Sequence, residues 1–150
     1  MRAHALVNLG VAERELHDLD AAIGHLQEGT ALERQLNEAV ALGEDLCELI
    51  IALLRQNVIE QATALAAEVL ALAEDSTLRF PHPQYLLWTA AAVRRAASDD
   101  AGALALLDRA RDVLDKLEAT IPDTESRTTF RRLRYNRAID DAFDRAYWQI

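Results

Sequence analysis

Cysteine occurs once in the 150 residues, as Cys47, which excludes an internal disulfide and a cysteine metal cluster and fits a reducing compartment. Glycine (5) and proline (3) are scarce, aromatics make up 5%, and runs of β-branched residues are nearly missing. That poverty disfavours sheets, which depend on turn residues and β-branched or aromatic side chains. Basic side chains are outnumbered, 16 against 25 acidic, leaving a net charge of -9 that argues against general nucleic-acid binding. No apolar run approaches the roughly 18 residues of a membrane span. Only Arg2 precedes the first short apolar patch, and no cleavage-site pattern follows it, so no signal peptide is expected and a cytoplasmic location is the default.

What the chain does have is alanine and leucine, at spacings of three and four residues that make one apolar face of a helix. Half of the residues are hydrophobic, and 150 residues suffice for one domain with a real core. Three stretches share a template. Leu6, Leu9 and Gly10 precede Ala22, Leu26 and Gly29; Leu46, Leu49 and Ile50 precede Ala62, Ala66 and Val69; Leu87, Ala90 and Ala91 precede Ala103, Leu107 and Ala110. The leading leucine stands 16 residues before the alanine each time, and the copies lie 40 and 41 residues apart. Each copy reads as two antiparallel amphipathic helices whose small residues let the backbones approach. Gly10, at a cost of about 1 kcal/mol against alanine in a helix, is expected to face Ala22 where the two helices cross.

This pattern resembles the tetratricopeptide repeat, W-x2-L-G-x2-Y followed by A-x3-F, over about residues 3–119. Leu6, Leu46 and Leu87 take the tryptophan position. Leu9-Gly10, Leu49-Ile50 and Ala90-Ala91 take that of L-G, and Ala22/Leu26, Ala62/Ala66 and Ala103/Leu107 that of A-x3-F. Glu13, Leu53 and Arg94 replace the usual tyrosine, the closing proline is missing, and the period exceeds 34. Longer repeats of this kind look like those of large bacterial signalling regulators. The resemblance implies an all-α, right-handed helical-hairpin solenoid of three repeats (about 2–36, 38–74 and 83–119, together 1–121) with a C-terminal capping segment, 122–150.

Helices are expected at about 2–17, 20–36, 38–56, 58–74, 83–97 and 99–119, with Asp20 and Ser98 as N-caps and Asn57/Glu60 at capping-box spacing. The tail differs in charge: residues 127–150 carry six arginines against three aspartates. Its arginines (Arg127, Arg131, Arg132, Arg134, Arg137) are expected to lie along the acidic repeats. Phe130, Leu133, Ile139, Phe143 and Tyr147 would cover the open face of the last hairpin. Arg127, Phe130, Asn136, Arg137 and Ile139 also look like an R-x-x-F … N-R-x-I segment that follows terminal repeats in some bacterial ATPase and cyclase regulators.

No chemistry is legible. The glycines are isolated, so there is no phosphate loop, and His4, His17, His25 and His82 show no metal-ligand spacing. Cys47 reads as a small buried hydrophobe. No catalytic residue, cofactor or metal is expected. In the resembling family the first helix of each pair lines a concave groove. Carrying its positions over gives His4, Val7, Val11 and Arg14, then Glu44, Cys47, Ile51 and Leu54, then Tyr85, Trp88, Ala92 and Arg95. Val7, Val11 and Cys47 stand where a carboxylate clamp needs polar donors, so a chaperone-tail adaptor is disfavoured, and Tyr85 and Trp88 become the expected anchors.

The resemblance thus implies a protein–protein interaction scaffold, the C-terminal module of a larger bacterial signalling or transcription regulator, with a protein or peptide partner. The alternative is a small-molecule or peptide sensor binding in the groove, and a third reading is nucleic-acid contact through the arginine tail. Apolar area expected on the outer surface of the first helix, around Ala3, Leu6 and Val7, predicts a homodimer of the isolated chain through the N-terminal helix pair.

Overall fold

Leucine and alanine at helical spacing, broken only by polar turns, give a chain that is helical almost throughout. The computed structural model describes residues 1–146 and 148, and among these there are eight α-helices and no strand. They are α1 (Arg2–Glu15), α2 (Leu19–Leu36), α3 (Ala39–Arg55), α4 (Ile59–Glu74), α5 (Pro83–Ala96), α6 (Asp100–Ala119), α7 (Thr124–Arg132) and α8 (Arg134–Arg145). The first six fall within two residues of the ranges that periodicity predicts. None of the eight is long and apolar enough to cross a membrane.

Successive helices from α1 to α6 pack on one another, α3 lies beside both α1 and α5, and α8 rests on α5 and α6. The core follows from that order. α4 offers one apolar face, Ala62, Ala66 and Val69, at spacings of four and three. α3 and α5 are instead enclosed on most sides, with ten of 17 and ten of 14 residues buried. Each fully buried leucine or isoleucine there, such as Leu46, Ile50 and Leu86, contributes about 1.5–3 kcal/mol.

Gly10 has the role the template predicts. A Cβ on it would stand 2.7 Å from Leu26 Cγ and 2.9 Å from the carbonyl oxygen of Ala22. Gly29 does the same from α2, where a Cβ would meet Val7 Cγ2 at 2.7 Å and the Ala3 carbonyl at 3.2 Å. Two glycines, one per helix, thus bring the α1 and α2 backbones together. The same packing turns Ala3 and Val7 inward, to 5% and 4% exposure, and so corrects the expected outer patch. Leu6 is half-buried and Leu9 is exposed, but Ala3 and Val7 are core.

The turns repeat as well. His17, Asn57 and Ser98, each inside a hairpin, have φ of 65°, 61° and 62°, and Asn37, between hairpins, has 57°. In each case the next residue's N–H reaches back across the turn: Asp18 to Glu13 O, Glu38 to Glu33 O, Val58 to Leu53 O and Asp99 to Arg94 O, at 2.8–3.0 Å. This left-handed closing residue satisfies helix-end carbonyls and aims the chain straight into the next helix. It also shifts the caps. Asp18 rather than Asp20 caps α2, and Asp99 rather than Ser98 caps α6, accepting from the N–H groups of Ala21 and Gly102. Asn57 is the left-handed residue itself, and α4 has no side-chain cap.

The tail packs differently from expectation. Ile139 is fully buried and Phe130 half-buried, but Leu133 and Phe143 are 41% and 47% exposed. Ala138 and Ala142, small enough for α8 to lie close, provide the inner face instead. Tyr147 lies outside the described residues. Buried Asn136 fastens α8, accepting from Gln84 Nε2 of α5 at 2.8 Å and donating to the Phe130 carbonyl at 2.8 Å. Arg131 spans Glu118, Asp115 and Asp140, so the tail arginine at its centre lies along acidic residues.

Candidate functional site

The expected groove residues are not brought to one surface. α3 is central, so Cys47, Ile51 and Leu54 are buried at 0%, 5% and 8% exposure, and Trp88 on α5 is buried at 3%. Ala92 is core too. Burial pushes the Cys47 thiol well above its usual range, and its Sγ donates to the Gly43 carbonyl, as befits an inert core residue. Arg14 has no exposed surface at all. Its guanidinium turns onto α3, with Nη1 2.7 Å from Glu48 Oε2 and 3.2 Å from the Glu48 carbonyl. Arg95 stands apart, paired with Asp100 at the exposed end of its helix.

Val7, Val11, Glu44 and Tyr85 do meet, in a cleft of about 290 Å³ where α1, α3 and α5 run together. Asn8, Asp45, Glu48, His82, Arg134 and Tyr135 complete it; of these the sequence pattern offers only Arg134, among the tail arginines expected to lie along acidic residues. The i,i+4 pair of carboxylates on α3, Glu44 and Glu48, was the available signal. The charge of the tail puts Arg134 near acidic residues, but no local rule brings Tyr135 to this cleft.

The cleft is acidic on its α3 side and aromatic on its α5 side. Tyr85 donates from its hydroxyl to Glu48 Oε1 at 2.9 Å and stacks on Trp88, with ring centroids 6.0 Å apart. Burial, with the Glu48 charge beside it, pushes the Tyr85 hydroxyl well above its ordinary pKa, so it stays a neutral donor. His82 Nδ1 lies 3.0 Å from Glu44 Oε1. Into this setting α8 places its first two residues. Arg134 Nη2 reaches Glu48 Oε1 at 3.1 Å, while the Tyr135 ring stands 4.6 Å from Tyr85 and 5.2 Å from His82. Glu48 therefore serves Arg14 from within and Arg134 from outside.

His4 is elsewhere, at the start of α1. Its Nδ1 is 3.8 Å from Glu33 Oε1 near the end of α2, and both face Asp45 of α3, one donor atom from each lying within 4.8 Å of the others. Burial, and Asp45 beside it, push the Glu33 carboxyl up to about 8. Three helices supply one residue each, so no linear spacing announces the group. Compared with protein-family models, with curated proteins and with solved structures, the chain matches none.

Proposed function

We propose that the chain is a tetratricopeptide-like stack of three helical hairpins that serves as a protein-interaction module, its cleft receiving a partner segment in which a basic residue adjoins an aromatic one. The repeat reading is supported by the left-handed turns at 17, 57 and 98, which recur at the same 40- and 41-residue period as the sequence template. It is also supported by α3 lying side by side with α1 and α5. The seat of Arg134 and Tyr135 carries the functional reading. A guanidinium on Glu48 and a ring on Tyr85 are the contacts a basic–aromatic segment would make, and arginine and tyrosine are over-represented among the residues that dominate interface energies. On this reading α8 fills the cleft with its own copy of the recognised chemistry. From the same resemblance we infer that such a module belongs to a larger bacterial signalling or transcription regulator.

The test is to open the cleft in the full chain with Arg134→Ala plus Tyr135→Ala and titrate a labelled peptide of residues 127–140. Saturable binding to the opened variant, weaker binding to the parent chain, and loss on adding Glu44→Lys is the expected result. Equal binding to both proteins would refute it. An opened variant that ignores peptides, yet melts higher with small aromatic cations, would move the cleft to small-molecule sensing.

A further inference from the structure

Glu33 is the odd residue in the core. Its side chain is 1% exposed, and neither carboxylate oxygen has a hydrogen-bond partner. Asp45 Oδ2, beside it, is buried and unpartnered in the same way. No arginine or lysine pairs with either carboxylate among the described residues. The other charges on their flanks, Glu38, Glu44 and Glu48, are also acidic. Leaving two carboxylates so placed both charged and uncompensated costs several kcal/mol, so either a proton or a cation belongs between them. His4, exposed on the first turn of α1, holds its Nδ1 toward the same point.

We propose that His4, Glu33 and Asp45 bind one divalent transition-metal ion. One imidazole nitrogen and two carboxylate oxygens suit Zn2+, Co2+ or Mn2+, whereas Mg2+ and Ca2+ take oxygen alone. Two carboxylates neutralise the ion's charge. Tetrahedral bonds of about 2.0 Å put donor atoms about 3.3 Å apart, so the trio must tighten. His4 can supply that movement, because its side chain is 66% exposed and free to change rotamer. The fourth position opens to solvent beside His4. An ion here ties α1, α2 and α3 together, and through Asp45 it also removes one negative charge from the wall of the cleft. The competing arrangement is a proton shared by Glu33 and Asp45, with the His4 imidazole facing them and no ion bound.

Chelator-stripped full-length protein should be titrated with Co2+, followed by its visible absorption, and with Zn2+ by calorimetry and thermal melting. Expected are one equivalent bound, displacement of Co2+ by Zn2+ but not by millimolar Mg2+, and a higher melting temperature with Zn2+. His4→Ala, Glu33→Gln and Asp45→Asn should each weaken binding about tenfold or more. His25→Ala, which removes the histidine paired with Glu13, should leave it unchanged. No stoichiometric binding, or binding indifferent to Glu33→Gln, would overturn the proposal. Should Glu33→Gln raise the metal-free melting temperature while Zn2+ shifts neither protein, the shared proton is the answer.

Discussion

The first hairpin, α1 and α2, and the third, α5 and α6, carry the same template in different surroundings. Leu87 and Ala90 of the third are buried at 6% and 1%, while their counterparts Leu6 and Leu9 are half-buried and 45% exposed. Neighbours explain it: α1 packs on α2 and α3, but α5 packs on α3, α4, α6 and α8. At the template position one turn further on, the order reverses. Arg14 is wholly buried and Arg95 is exposed. The template therefore specifies which residues face a neighbouring helix. Whether a side chain is buried there depends on what the fold brings to that face.

The largest contrast should appear at those two arginines. Arg14→Ala leaves Glu48 without its buried partner and should destabilise the chain by about 3–5 kcal/mol. Arg95→Ala removes only an exposed pair with Asp100 and should cost less than about 1 kcal/mol. Chemical denaturation of both variants checks this. Equal losses would mean that the two hairpins are held alike and would undo the comparison.

A second contrast separates close approach from helix propensity. Gly10→Ala must push against the Ala22 backbone and Leu26, and should cost about 1–3 kcal/mol despite alanine's better propensity. Gly24→Ala, on the open side of the same hairpin, meets nothing within 4 Å and should stabilise by up to about 1 kcal/mol. Ala22→Leu, at the same crossing as Gly10, should behave like Gly10→Ala. Thermal melts in which both glycine variants rise would show that the α1–α2 approach is looser than described.

The helices and the Gly10 crossing were legible because both depend on local spacing: 3.6-residue periodicity, and a small residue where a large one cannot fit. The caps were misplaced by one or two residues because a left-handed residue intervenes before Asp18 and Asp99. That conformation leaves little mark when histidine or serine adopts it. The groove was harder. Of the positions carried over from the family, Val7, Val11, Glu44 and Tyr85 line one cleft, whereas Cys47 and Trp88 lie inside α3 and α5, which their neighbours enclose. The seat of Arg134 and the meeting of His4, Glu33 and Asp45 depend on tertiary packing across 86 and 41 positions, beyond any motif.

The smallest expected effect tests whether the three hairpins share one turn. His17, Asn57 and Ser98 hold the same left-handed conformation with three different side chains. That conformation costs an ordinary L-residue about 1–2 kcal/mol, whereas glycine adopts it freely. Glycine also gains entropy in the unfolded chain, which offsets about 0.4–1 kcal/mol of the relief. His17→Gly and Ser98→Gly should therefore each stabilise by about 0.5–1 kcal/mol. Asn57→Gly should change little, because asparagine already tolerates the left-handed region. The outcome to look for is two equal rises in denaturation midpoint, in the first and third hairpins, with the second unmoved. A rise in one hairpin and a fall in the other would mean that the turns differ, and the structural period of 40 and 41 residues would lose its strongest support.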